Sequence, residues 1–210
     1  MTRGEETRAR IEREALRLFA RKGVDATSVK EIAAAVGVAD AALYRHFASK
    51  DEIGRQVFLR HYGELARAVA AIGARPAPFA AKVGALVAMF CTLFDEQPDV
   101  FAFILVHQHA HLRFVSEDAS ENAVAALALI MAKAYSDGDI GEPDPELAAG
   151  MALGAVVQPA VFKIYGRLPG PLAGRAEALT RAALAAAGAL ECSTKPIARS
   201  GRSASLHPTR

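Results

Sequence analysis

The chain has 210 residues, 52% of them hydrophobic and 23% charged, with a formal net charge of +2 at pH 7. That suits one large domain or a small module on a larger body, and it excludes a chain too polar to bury a core. The charged N-terminus (Arg3, Glu5, Glu6, Arg8, Arg10) reads as no secretory leader. The longest apolar run, Val83 to Phe94, falls short of the roughly 20 residues that cross a bilayer, and Cys91 and Cys192 have neither metal nor disulfide spacing. A soluble protein of the reducing cytosol is expected.

The alanine-rich, Trp-free composition favours helix. A first helix is expected over about Arg3–Arg21, with Ile11, Ala15, Leu18 and Phe19 on one face and Gly23 as a left-handed cap. Ser28-Val29-Lys30-Glu31 is a capping-box pattern opening a second helix, whose inner stripe is Val29, Ile32, Ala33 and Val36 and which Gly37 closes. A third helix follows over about Ala39–Phe47, with Leu43 and Phe47 inward. Ser49-Lys50-Asp51-Glu52 reads as a second capping box, opening a fourth helix to about Ile72, and "ARPAP" breaks it. Five more helical patterns follow: Phe79–Glu96, Asp99 to about Val115, Ala119–Ser136, Asp144 to about Tyr165 with Pro159 inside, and about Pro171–Ala189. Asp144-Pro145 starts the eighth as cap and first residue. No internal repeat and no strand is evident, and the last twenty residues, basic and poor in apolar anchors, are expected to be disordered.

Two short helices joined at a glycine turn behind a longer one make a helix-turn-helix. Their inner faces clamp the pair, which leaves the outer face of the second short helix free for a major groove that admits an α-helix. The candidates on that face are Asp40, Ala41, Ala42, Tyr44, Arg45 and His46. Arg45 can fork onto guanine O6 and N7. Asp40 can cap the short helix beside Ala39, which cannot, or accept from a cytosine N4. Thr27 and Ser28 can cap, hold phosphate at a helix N-terminus, or both. Residues 1–60 carry 12 Lys/Arg against 9 Asp/Glu, and residues 61–190 carry 9 against 13. A mildly basic end on an acidic body fits a polyanion partner for the first part only.

The stretch "ALRLFARKGVDATSVKEIAAAVGVADAALYRHFASKDEI", Ala15 to Ile53, resembles the tetracycline-repressor (TetR/AcrR) family. It carries Phe-x-x-x-Gly in the first helix, Thr/Ser opening the second, Ile-Ala-x-x-x-Gly-Val, and Leu-Tyr-x-His-Phe-x-x-Lys. The resemblance covers about the first quarter of the chain. It implies an all-α homodimer, with a DNA-binding unit over residues 1–50, an effector-binding and dimerisation domain over 51–190 joined through the fourth helix, and a basic tail over 191–210. It implies double-stranded, near-palindromic operator DNA as partner, repression released by a small apolar or amphipathic effector, and the last two body helices as the dimer seam. Tyr44 and Lys50 match positions that grip the phosphate backbone in the family; a phosphate near Lys50 would also explain a cation in a helix's first turn. Ala39 stands where the family commonly has Ser or Thr, which leaves the operator sequence open.

In the body, apolar and aromatic residues at helical spacing read by default as core: Phe90, Phe94, Phe101, Phe103, Ile104, Met131, Tyr135, Phe162 and Tyr165. The same types line effector cavities when a few polar groups join them. The pocket candidates are therefore His61, Phe90, Phe94, Phe103, His107, Met131, Tyr135, Gln158 and Phe162, with Gln108 as a further polar group. Pro159 removes one helical N–H, so a bend could turn Gln158 inward. His107 and His111, four apart beside His109, suit a two-histidine ligand pair, but nothing in the sequence completes a metal site. No nucleophile elbow, phosphate loop or metal-ligand spacing is present, so no cofactor and no catalysis are expected.

Overall fold

The computed structural model describes residues 2–107 and 111–189, with the side chain of His107 outside the description. The tail expected over 191–210 also lies outside it. Within these bounds the chain is all-helical: α1 (Arg3–Lys22), α2 (Val29–Val36), α3 (Asp40–Leu43), α4 (Lys50–Gly73), α5 (Phe79–Glu96), α6 (Pro98–His107), α7 (Ala123–Asp137), α8 (Pro145–Ile164) and α9 (Ala176–Ala186). Short 3-10 turns occur at Leu112–Phe114 and Ala173–Arg175. One isolated bridge pairs Ile140 with Ala189.

Local chemistry sets the helix ends. Thr2 and Ser28 each form a full capping box, with Glu5 and Glu31 respectively. Gly37 closes α2 at φ 74°, ψ 40°, a left-handed cap that suits glycine. Gly23 differs from expectation: its φ is positive, but at ψ 165° it is extended rather than left-handed helical. The Ser49 box is only half formed. The hydroxyl accepts from the Glu52 N–H at 3.1 Å, while the Glu52 carboxylate reaches back one residue further, to the Ala48 N–H at 2.7 Å.

Four expected helices are shorter than their apolar patterns. The third ends at Leu43 and turns through Tyr44–His46. The sixth is described to His107, and a 3-10 turn at Leu112–Phe114 stands where its pattern would still be helical. The seventh begins at Ala123 rather than Ala119, and the ninth begins at Ala176, directly after the 3-10 turn at Ala173–Arg175, rather than at about Pro171. Helix α8 starts on the Asp144 cap, whose carboxylate accepts from the N–H groups of Glu146 and Leu147, and it runs unbroken through Pro159.

Helix α1 buries Ile11, Ala15, Leu16 and Phe19 against α2, α4 and α6. Helix α4, 24 residues and about 36 Å long, starts beside α1 and continues into the body, where it packs on α7. Close approach there is set by Gly73, where an added Cβ would stand 2.7 Å from Ile130 Cγ1. Helices α7, α8 and α9 pack in sequence, and α5 backs onto α9. By length and composition α8 could cross a membrane, since an 18-residue window has mean hydropathy 1.6, yet only 28% of that window is buried. The exposed part is an apolar stripe at helical spacing: Leu147, Met151, Phe162 and, just past the helix, Tyr165.

Candidate nucleic-acid interface and effector cavity

In the N-terminal unit the inward residues are where the pattern put them. Ile32, Ala33, Val36, Leu43 and Phe47 are at most 2% exposed. They fix α2 and α3 against α1 and leave Ala41, Tyr44 and Arg45 on the outside, with Asp40, Ala42 and His46 half-buried. Tyr44 is 55% exposed, a large surface left open on this face. Arg45 and His46 stand in the turn after α3 rather than on the helix.

Several sequence expectations change here. Asp40 does not cap. The backbone is extended at Ala39 (φ −71°, ψ 149°) and already helical at Asp40, so Ala39 is the N-cap and makes no side-chain bond. Thr27 is 1% exposed and its hydroxyl donates to the Gly23 carbonyl at 2.7 Å, so its side chain faces the fold. Ser28 is exposed, but its hydroxyl serves the capping box, accepting from the Glu31 N–H and donating to the Glu31 carboxylate. Lys50 turns back on the protein: its ammonium donates to the carbonyls of Val24 and Asp25 at 2.9 Å and of Thr27 at 3.1 Å. Three carbonyl oxygens suffice to account for a cation in the first turn of α4. Thr27, Ser28, Tyr44 and Lys50 nevertheless border one shallow concavity at the N-termini of α2 and α4.

Sequence reasoning missed the polar lock between this unit and α4. Arg8 donates to the His46 carbonyl at 3.3 Å and to the Gln56 side chain, lies 4.5 Å over the Phe47 ring, and pairs with Glu12. Glu12, 8% exposed, also accepts from Arg60 of α4. The signal was present as charged residues on the apolar side of α1, but helical periodicity does not name their partners. Below the lock lies a ring stack. Phe19 of α1 meets Phe103 of α6 at 5.8 Å, and Phe103 meets Phe58 of α4 edge-on at 6.3 Å. Phe58 stacks on Tyr62 at 5.3 Å and on His111 at 5.1 Å.

Beside that stack the body encloses a cavity of about 130 Å³. Tyr62, Leu65 and Val69 of α4 form one wall; Val83, Leu86, Val87, Met89 and Phe90 of α5 form another; Ile104, Leu127, Met131 and Val156 close it. Of the pocket candidates read from sequence, Phe90 and Met131 line it. Phe94 and Phe103 are buried in ring contacts away from it. Tyr135 and Phe162, 47% and 44% exposed, face outward, and so does Gln158. Pro159 therefore does not turn Gln158 inward, because α8 keeps its course and its outer face. His61 lies beside the cavity wall but outside it, bonded to Glu64 at 3.2 Å and near Arg60; burial first, then the Arg60 charge, lowers its pKa. His107, Gln108 and His109 fall outside the described side chains. His111 is 5% exposed and packs on Phe58 and Phe103 as a core residue. Among the described residues no group of three or more His, Cys, Asp or Glu is placed to hold a metal ion.

These elements define a helix-turn-helix protein with an all-helical body that carries an apolar cavity. The family described as "Bacterial regulatory proteins, tetR family" matches residues 11–57. The HTH-type transcriptional regulator AcrR of Shigella flexneri is 44% identical over 54 residues, which is 26% of this chain and 25% of that protein, so the match spans about a quarter of each. The fold extends the likeness over most of the chain. The fatty acid degradation regulator FadR from Bacillus halodurans superposes with TM-score 0.74 at 18% identity, over 85% of this chain and 94% of that one. FadR from Bacillus subtilis, solved with stearoyl-CoA, gives 0.73 at 18%, over 85% and 98%. PfmR from Thermus thermophilus gives 0.68 at 24%, over 83% and 97%. The tetR-family match is thus carried by the N-terminal unit, while the likeness over the rest of the chain is one of fold.

Proposed function

We propose that this protein is a homodimeric, cytoplasmic transcriptional repressor that binds near-palindromic operator DNA through residues 1–50 and is released by a small molecule bound in its body, residues 51–190. The observation that carries the reading is the continuity of α4. One end is tied to the reading head through Lys50 and Arg60, and the other lines the cavity with Tyr62, Leu65 and Val69. A ligand that displaces Tyr62 moves a helix to which the head is bolted, so cavity occupancy and head spacing share one rigid element.

On DNA, Arg45 is the base reader, Tyr44 and His46 meet the backbone beside it, and Ser28 and the α2 N-terminus face a phosphate. Ala41 and Ala42 let the short helix sit close to thymine methyls. The exposed α8 stripe, with the alanine-rich α9 beside it, is the dimer seam; its apolar surface has no use on a monomer. The solved relative that holds stearoyl-CoA supports a ligand-responsive body. As a regulator the protein performs no catalysis.

A gel shift against the DNA upstream of its own gene tests the reading, with Arg45→Ala as control. Arg45→Ala should cost about 1–3 kcal/mol and relax preference at one base pair. A variant that binds operator and random DNA as the parent does sinks this assignment of the reading face. An operator complex that no small molecule releases points to control by a protein partner or to constitutive repression.

A further inference from the structure

We propose that the cavity takes an uncharged, apolar molecule about the size of one aromatic ring, and that Tyr62 reads the single hydroxyl or carbonyl such a molecule carries. This rests on the effector-released reading above and narrows it to a ligand class.

Size is the first argument. The cavity holds about 130 Å³. Sites for drug-sized ligands run to roughly 300–1,000 Å³, whereas an engineered cavity of about 150 Å³ lined by Leu, Ile and Phe stays dry and admits benzene. Chemistry is the second. Among the described residues no lining side chain is charged, and Tyr62 brings their single hydroxyl. A carboxylate or phosphate entering here would leave its hydration shell and meet no cation among the described lining residues. The imidazole beside Tyr62 in the chain, His61, is directed at Glu64 and Arg60. Access is the third. Val124 and Leu153, 43% and 37% exposed, bring the lining to the surface between α7 and α8, so an apolar molecule meets apolar side chains where the lining is exposed.

Tyr62 is placed to report the occupant. It is 5% exposed, and its ring lies nearly flat on Phe58, at 14° between planes. Phe58 touches Phe103, which leans on Phe19 of α1. A molecule pressed against Tyr62 therefore loads the ring stack that ends on the first helix of the reading head.

The test is a thermal-melting and calorimetric series on the full chain with toluene, phenol, benzoate and stearoyl-CoA, run beside operator release with the same four compounds. Toluene and phenol should raise the melting midpoint by several degrees, while benzoate and stearoyl-CoA leave it unmoved. Tyr62→Phe, which keeps the stacked ring, should weaken phenol by roughly three- to tenfold and leave toluene as in the parent. Val156→Phe, which fills the cavity, should abolish both. If Val156→Phe does not fold, the parent series and Tyr62→Phe decide alone. A midpoint raised by benzoate or stearoyl-CoA as much as by toluene overturns the ligand class, and so does a midpoint that toluene and phenol leave unmoved. Equal phenol affinity in Tyr62→Phe overturns the role of Tyr62, and toluene binding by a folded Val156→Phe as tight as the parent's overturns the location. Toluene that binds but leaves the operator complex intact upholds the ligand class and removes the effector-released reading instead. Operator release by stearoyl-CoA alone does the reverse.

Discussion

The reading head and the body use their surfaces in opposite ways. In the head the polar side chains nearest the proposed DNA face are committed to the fold: Lys50 to three carbonyls, Thr27 to Gly23, Arg8 to His46 and Gln56. Its large apolar groups other than Tyr44, among them Phe19, Ile32, Leu43 and Phe47, are buried. The body leaves apolar material unpaired, in a void between α4, α5 and α8 and along a bare stripe on α8. A tool that must present a few groups to DNA gains from being held rigid. The sensor proposed above needs space for a ligand and a surface for a second copy, and incomplete packing of this kind would provide both.

The largest expected effect compares two phenylalanines. Phe58→Ala removes a fully buried ring from the stack joining head and body, and should lower unfolding stability by about 3–5 kcal/mol in denaturant titration. Phe162→Ala removes the same ring from the exposed face of α8, and in dilute monomer should change stability by no more than about 0.5 kcal/mol. Its effect should fall on association, shifting the dimer–monomer equilibrium in sedimentation toward monomer. A Phe162→Ala protein as destabilised as Phe58→Ala would mean that the bare stripe is core.

Next comes Lys50. Lys50→Met leaves three carbonyls without their donor and should destabilise the head by about 1–3 kcal/mol. Because those bonds are internal, the salt dependence of DNA binding should keep its slope. A slope reduced by about one unit would show instead that Lys50 neutralises a phosphate in the complex.

The head was nearly all legible as fold and only partly as site. Period and caps place Ile32, Val36, Leu43 and Phe47 because a helix face is a local property of sequence. They do not place Lys50 or Thr27, whose partners are backbone carbonyls of a loop that no pattern marks. The body was legible as helices but hardly as a pocket. Phe94, Phe103, Tyr135 and Phe162 share the spacing of Phe90 and Met131, and only packing decides which face meets the void, which meets another ring and which meets solvent. Small wall residues such as Ala152 and Ala183 carry no sequence signal of lining at all.

A smaller effect concerns the α2 cap. Ser28→Ala should cost about 1 kcal/mol by removing the acceptor of the Glu31 N–H. Its partner gives this cap a pH signature. The Lys22 ammonium, then the Ser28 N–H and hydroxyl, hold the Glu31 carboxyl down at about 2 against an ordinary 4.5. A carboxylate whose folded pKa is depressed contributes stability above its unfolded value and loses it as the pH falls toward the folded one. The contribution is therefore complete above about 4.5 and gone near 2, and Glu31→Gln should flatten the acid limb of the stability curve in that window alone.

The smallest effect expected is at Asp40, where cap and base reader make different claims. Ala39 occupies the cap position and Asp40 the first helical turn, so Asp40→Asn removes no side-chain cap bond. It withdraws only a negative charge near a helix start, in a helix of four residues. Stability should hold within about 0.5 kcal/mol. Affinity for DNA should rise slightly and evenly across sequences, since one repulsive charge near phosphates is gone. A loss confined to operators with cytosine opposite this residue would restore Asp40 as a reader accepting from a cytosine N4, and would place α3 deeper in the groove than a contact made through Tyr44 and Arg45 requires.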